Sequence, residues 1–324
     1  TVHADSLARY LDILQRVYGY DTTGEQGRII TTTDETSIFG RLDWTISNSH
    51  QLQLRYNYTN LLAENDRIAT LDLRGAGGPF KNVGKSFVAS LFSQFGRSLF
   101  NEFRIQRALE PRPRPSNSAW PRIDVTINSV FRDTINGRDT TILTSRSITA
   151  GADDVLHFNV LEENTWQLQD NLTYMRGNHT FKVGTDNNFF HVYNFFGRFG
   201  LGQFVYRSLS DFENQAADVF TRLVPIDTNT SIPFADRLPK ALYDVREWSV
   251  YAQDQWQATP RLNLQFGLRY DVVQYPNRPA PNPLLQRSFP DLDVSRVPED
   301  NNNIAPRFGF TYDMSGNRTT IVRG

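Results

Sequence analysis

The stretch Trp248-Ser-Val-Tyr-Ala-Gln-Asp-Gln-Trp256, followed by Gln-Ala-Thr-Pro-Arg and then by Leu262-Asn-Leu-Gln-Phe-Gly-Leu-Arg-Tyr-Asp-Val272, decides the fold. In its second arm Leu262, Leu264, Phe266, Leu268, Tyr270 and Val272 alternate with Asn263, Gln265, Gly267, Arg269 and Asp271. Successive side chains of a strand point to opposite sides, so this segment has one apolar wall and one polar wall. Trp248 and Val250 fall on the apolar wall of the first arm and Gln253 on the polar one. A barrel strand with lipid outside and water inside carries this two-walled pattern.

The same unit recurs along the chain. Ile38, Leu42, Trp44 and Ile46 alternate with Phe39, Arg41, Asp43 and Thr45; after the turn Ser47-Asn-Ser-His50, Leu52, Leu54, Tyr56 and Tyr58 alternate with Gln51, Gln53, Arg55, Asn57 and Thr59. Further pairs are read at about 85–95 and 99–108, at Trp166–Tyr174 and Thr180 onward, and at Ile304–Asp313 with a short start after it. Short turns near 48, 97, 177, 260 and 316 alternate with long connections, the asymmetry of a barrel with tight periplasmic turns and extended external loops. The fold class is therefore all-β: nine strands and the start of a tenth, an antiparallel transmembrane β-barrel segment of a larger barrel. The stretch from Leu109 to about Val160 is expected to be irregular, and Pro111-Arg-Pro-Arg-Pro115 to stay out of any central strand.

Two helical signals stand apart from this rhythm. Leu7, Tyr10, Leu11, Leu14, Val17 and Tyr18 recur at helical spacing, with Asp5 or Ser6 as the cap and Gly19 as the stop. Ser210-Asp-Phe-Glu213 has the spacing of a capping box and is expected to start a short loop helix running to about Phe220. The chain divides into residues 1–35, a helix and connector, and residues 36–324, a partial barrel.

Composition narrows the function classes. With 34 basic and 35 acidic residues the formal charge is −1, leaving no basic footprint for nucleic acid. The absence of cysteine removes disulfides, cysteine-ligated zinc and thiol nucleophiles together. A mean hydropathy of −0.48 fits a chain in which only alternate strand residues meet lipid. His3, His50, His157, His179 and His191 are scattered without metal-ligand spacing, and neither a nucleophile elbow nor a phosphate loop occurs. The sequence thus assigns no enzymatic activity, cofactor or metal.

Specific words resemble those of TonB-dependent outer-membrane transporters: the 248–272 hairpin and, toward the Oar-like subgroup, Asp5-Ser-Leu-Ala-Arg-Tyr-Leu, Asn101-Glu-Phe-Arg104, Gln167-Leu-Gln-Asp-Asn-Leu-Thr, Arg176-Gly-Asn-His-Thr-Phe-Lys-Val-Gly184 and Ala305-Pro-Arg-Phe-Gly309. The resemblance implies a barrel of about 22 strands around a plug domain, in the outer membrane of a Gram-negative-type bacterium. A TonB complex would act on a region ahead of Thr1, residues 1–35 would join plug to barrel, and further strands would follow Gly324. The implied function is active transport of a scarce or bulky solute; the alternatives are an adhesin or scaffold barrel working through its loops, and a soluble β-rich module.

Two sets of candidate residues follow. Arg41, Asp43, Gln53, Arg55, Glu102, Arg104, Gln253, Arg269 and Asp271 line the polar wall, where they would meet plug or solute or simply pair across strands. Leu52, Leu54, Tyr56, Trp248, Val250, Leu262, Leu264, Phe266 and Leu268 line the apolar wall and would meet outer-membrane lipid.

Overall fold

The computed structural model describes residues 2–135, 138–225, 227 and 229–324. In chain order the elements are α1 (Ala4–Tyr18), β1 (Thr33–Ser47), β2 (His50–Asp66), β3 (Gly78–Phe95), β4 (Leu99–Pro113), β5 (Arg122–Ile135), β6 (Arg138–Ala150), β7 (Asn159–Arg176), β8 (His179–Phe196), β9 (Gln203–Tyr206), α2 (Leu209–Glu213), β10 (Val219–Thr221), α3 (Phe234–Arg237), β11 (Ala241–Thr259), β12 (Leu262–Gln274), α4 (Pro283–Ser288), β13 (Asn303–Asp313) and β14 (Ile321–Arg323). Among the described residues no helix is long and apolar enough to cross a membrane.

Ten strands form one antiparallel sheet in the order β1-β2-β3-β4-β7-β8-β11-β12-β13-β14. Each consecutive pair joined by a tight turn (β1/β2, β3/β4, β7/β8, β11/β12 and β13/β14) turns at the same end, and the long connections gather at the other. The sheet is an open wall with β1 and β14 at its edges, not a closed ring. Nine full-length strands and a three-residue tenth match the count read from the periodicity.

The connections hold more structure than the sequence suggested. Residues 109–160 contain the hairpin β5–β6, and β9 pairs with β5 in parallel and with β10 antiparallel, giving a second sheet in the order β10-β9-β5-β6. Its alternation, Ile123, Val125 and Ile127 against Asp124 and Thr126, was masked by the prolines ahead of it. The proline run also departs from expectation, since Pro111 and Pro113 lie within β4 opposite Glu162 and Val160 of β7. On its other side β4 is paired with β3 only as far as Leu109. The prolines thus occupy a stretch with a neighbour on one side alone, where a missing N–H costs little.

Helix α1 ends as read: Gly19 sits at φ 72°, its N–H donates to Gln15 O at 3.1 Å, and Tyr20 N–H donates to Leu14 O at 3.0 Å. It begins at least two residues earlier than expected, after His3 rather than after a capping Asp5 or Ser6. Asp5 falls in the first turn, where a carboxylate favours the helix dipole. Helix α2 is capped by Ser208, whose Oγ accepts from Asp211 N–H at 3.0 Å, and stops at Glu213 rather than near Phe220. The helix of segment 1–35 lies at the long-loop end, and β1 starts from that end.

Tyr10, Ile13 and Leu14 of α1 are buried against Val125, Ile127, Ile148, Tyr206 and Phe212, the main apolar core of the molecule. Tyr18 stacks on Phe212 at 4.6 Å and donates its hydroxyl to Phe212 O at 2.6 Å. Arg9 and Arg16 both reach Glu213, at 2.7 and 2.6 Å. The wall, by contrast, has no core of this kind, because both of its faces are open.

Candidate functional site

The register fixes which residues share a face of the wall. Asp43 stands opposite Gln53 and Arg41 opposite Arg55; Ser90 of β3 carries the same face to Arg104 of β4, Gln169 of β7 and Asp186 of β8, and Ser249, Tyr251 and Gln253 of β11 carry it on to Asp271, Arg269 and Gly267. All nine residues of the polar set therefore lie on one face. Leu52, Leu54, Tyr56, Trp248, Val250, Leu262, Leu264, Phe266 and Leu268 lie on the other.

Charge on the polar face is arranged in a repeating way. Arg41 donates to Asp43 at 2.7 and 2.9 Å, Arg104 to Glu102 at 2.8 Å, and Arg269 to Asp271 at 2.9 and 3.0 Å. Each pair is two residues apart on one strand, so cation and carboxylate project to the same side and neutralise each other locally. Gln53 adds a donor to Asp43 at 3.1 Å. Seven of the nine residues are consequently committed within the wall. Arg55 differs: it faces Arg41 across the strands, and its Nε is buried without a hydrogen-bond partner.

A recess of about 220 Å³ opens on this face around Gly267, lined by Gln169, Asp186, Tyr251, Gln253, Arg269 and Arg307 among others. Tyr251 lies over Gly184, where a Cβ would come within 2.7 Å of its ring, and its hydroxyl bonds to Asn171 Oδ1. Arg307 has no carboxylate partner among the described residues, which leaves one free cation at the recess.

At the loop end the second sheet is joined to its surroundings by buried charge. Arg122 donates to Asp124 at 2.8 Å and to Asp153 at 2.8 Å and lies 3.3 Å from Asp154; Arg67 reaches Asp153 at 2.9 Å and Arg198 reaches Asp154 at 2.5 Å. Gln203 and Thr149 donate to Asp124 at 2.7 and 2.8 Å. Three arginines from three connections therefore meet three aspartates of low exposure. Burial works against the Arg122 charge, yet the carboxylates outweigh it and hold its pKa above the ordinary value. His157 is held below its ordinary value by burial; its Nε2–H donates to Ala152 O at 3.1 Å and its Nδ1 accepts from Leu201 N–H at 3.2 Å, the neutral tautomer.

Beside this network a cavity of about 570 Å³ lies among α1, the 25–31 connector and the segment after β2, lined by Leu7, Ile29, Ile68, Leu71, Glu25 and Asp72 among others. Mostly apolar walls with a few polar groups, in this size range, suit a small molecule. Tyr20 borders the region; burial, and then Glu25, push its hydroxyl up to about 12. Tyr10 Oη is fully buried without a hydrogen-bond partner.

The remaining histidines are dispersed: His50 meets Ser93 at 3.0 Å, His179 meets Asp254 at 2.7 Å and His191 meets Asp244 at 2.7 Å. Among the described residues no three metal-binding side chains gather. Sequence reasoning missed the loop network altogether. Its one available signal was the apolar–charged alternation of Arg122-Ile-Asp-Val125.

A wall of long antiparallel strands, apolar on one face and polar on the other, with tight turns at one end and folded loops at the other, defines an outer-membrane barrel segment. The chain belongs to the outer membrane beta barrel domain family, whose model matches residues 20–324, and it resides in the outer membrane. Among solved structures it is similar to the outer membrane transporter YddB from Escherichia coli, with a TM-score of 0.57 and 13% identity over 92% of this chain and 32% of that one. It is also similar to the ferripyoverdine receptor of the outer membrane of Pseudomonas aeruginosa bound to ferripyoverdine, with a TM-score of 0.51 and 12% identity over 88% of this chain and 34% of that one. These likenesses concern the fold. The chain spans about a third of the length of the structures it matches. No curated protein matches it by sequence.

Proposed function

We propose that this chain is part of a TonB-dependent, Oar-like transporter that moves a scarce or bulky solute across the outer membrane. The observation that carries the reading is the polarity of the wall: tight turns at one end, a folded and charge-knit loop layer at the other, and one continuous polar face between them. In this reading the apolar set meets outer-membrane lipid, and the polar set faces a lumen that holds a plug domain of the same protein. The paired residues on that face would form a neutral, hydrogen-bonding lining, while Arg55 and Arg307 would be among the cations left to engage plug or solute. Energy would come from a TonB complex acting on a region outside these residues. Because α1 docks among the loops, segment 1–35 is assigned to the loop layer in place of the connector role.

The same loop layer favours a second reading, a surface adhesin or scaffold, since it has a core of its own and could hold a partner without moving anything. Solute depletion by cells with and without the gene, energised and then uncoupled, separates the two. Uptake of some solute that needs both the gene and the proton-motive force supports transport. Unchanged depletion together with lost surface attachment supports the adhesin and overturns the transporter.

A further inference from the structure

On the apolar face of the wall two cations stand together without a counter-charge. Tyr56 of β2 faces Phe87 of β3, Phe87 faces Arg107 of β4, and Arg107 faces Trp166 of β7, so this row belongs to the face of Leu52 and Leu54. Lys85 lies two residues beyond Phe87 on the same face, diagonal to Arg107 and about 7–8 Å from it. Both side chains are exposed. The Arg107 guanidinium carbon rests 5.2 Å from the centre of the Trp166 ring, and neither cation has a carboxylate partner among the described residues. On β7 the acids of this face, Glu162 and Asp170, stand four residues from Trp166 in either direction, about 13 Å along the strand.

Position along the strands sets the depth. Lys85 is ten residues from Phe95, the tight-turn end of β3; Trp166 is ten from Arg176 of β7, Phe189 ten from His179 of β8, and Trp248 eleven from Thr259 of β11. All four project to the apolar face. Ten residues of a strand tilted by about 45° rise about 24 Å, close to the height of a barrel's apolar band. Lys85 and the three aromatic rings therefore share the rim of that band on the side of the folded loops, the level at which tryptophan and long basic side chains meet lipid headgroups. The Cα of Arg107, eight residues from Leu99, lies about 5 Å lower, and its stem can lift the guanidinium to the rim. Below it Leu54, Leu91, Phe103 and Ile105 continue the same face toward the turns.

Charge, ring and apolar surface thus follow one another down the wall in the order of an anionic lipid's phosphate, interface and acyl chains. Resting on the reading that this face meets lipid and that the loops lie outside, we infer that Lys85, Arg107 and Trp166 bind the phosphorylated headgroup of a lipid in the outer leaflet. Two like charges at this spacing repel, and a phosphate between them removes the repulsion: the guanidinium donates to two of its oxygens and the ammonium to a third. The acyl chains lie along Leu54, Leu91, Phe103 and Ile105. A basic pair with aromatic and apolar residues on its membrane side selects a lipid over a dissolved anion, because only the lipid covers both parts.

The full-length protein, purified in an uncharged detergent and titrated with diphosphoryl lipid A, should retain that lipid about tenfold more tightly than its dephosphorylated counterpart with the same acyl chains, as counted by native mass spectrometry. Lys85→Gln combined with Arg107→Gln should lower retention about tenfold, with folding followed by heat-modifiable gel mobility. If the double variant fails to fold, the two substitutions serve singly, each expected to lower retention about threefold. Arg97→Gln, at the tight-turn end, should leave it unchanged. Equal retention of the two lipids, indifference to Lys85 and Arg107, an equal loss in Arg97→Gln, or displacement of the lipid by millimolar inorganic phosphate overturns the headgroup site. The 324 residues contain no cysteine, so an introduced thiol is unique within them. A bilayer-partitioned maleimide on Leu268→Cys reads the orientation of the wall separately: labelling there without discrimination between the lipids removes the headgroup site and keeps the membrane-facing assignment, whereas no labelling removes both.

Discussion

The wall and the loop layer are both β-sheets, yet they are held together in opposite ways. The ten-stranded wall has almost no buried apolar core; its coherence comes from continuous ladders and from short ion pairs repeated on one face. The four-stranded loop sheet buries Val125, Ile127 and Ile148 under a helix, as a water-soluble domain does. The difference teaches where each sheet finds its apolar contacts: the loop sheet makes its own, whereas the wall leaves Phe266, Leu268 and Val250 exposed.

Substitutions can break that contrast, beginning with the largest effects. Leu264→Arg or Phe266→Arg should each destabilise the inserted protein by about 2–4 kcal/mol, the cost of an arginine near the membrane midplane, measured by denaturant unfolding from lipid vesicles. Insertion that tolerates these changes as well as it tolerates Arg269→Leu would erase the distinction between the faces. Arg122→Met should cost the loop layer about 3 kcal/mol, since it leaves Asp124, Asp153 and Asp154 with less than their balancing charge. Limited proteolysis should then cut the 115–158 and 197–240 connections while the wall keeps its heat-modifiable mobility. Simultaneous loss of both would mean that wall and loops are one cooperative unit.

Gly151 offers a smaller and more local test. It sits at φ +73°, and a Cβ there would lie 1.9 Å from Pro121 O, so Gly151→Ala should cost the loop layer about 1–3 kcal/mol. Proteolytic susceptibility confined to the loops is the expected readout.

The smallest effect is a pH dependence. His157 is held neutral by burial below its ordinary value of 6.5, so the unfolded loop layer binds the proton more readily. The stability due to this group is complete above about pH 6.5 and declines as the pH falls below it. Glu213, held below its ordinary 4.5 by hydrogen bonds from Arg9 and Arg16, acts in the same direction in a more acidic window. Loop proteolysis should therefore accelerate first below about pH 6.5, and His157→Gln should remove that step. A rate flat from pH 7.5 to 5 would contradict it.

The wall was legible in the sequence because alternation is a local signal, repeated over eleven residues in Leu262–Val272 and echoed in each hairpin. The loop layer was not, because its contacts are long-range: Tyr18 meets Phe212 across 194 residues, and Arg9 meets Glu213 across 204. Helix α1 could be read as amphipathic, but no local rule names the surface it covers. Nor could the prolines of β4 be placed, since whether a strand has one neighbour or two depends on where its partners end. At the candidate site the faces followed from parity alone, whereas the pairing of Arg41 with Asp43 and the isolation of Arg55 required coordinates.

The convergence of Arg67, Arg122 and Arg198 on Asp153 and Asp154 has a consequence for how such a protein can change over generations. External segments of membrane barrels are usually free to lengthen, shorten or be exchanged one at a time. Here three of them share a single neutral cluster, so an insertion that displaces one arginine strands an aspartate contributed by another. Variation at this surface must then be coordinated, and a graft from a relative should succeed only when the connections travel together.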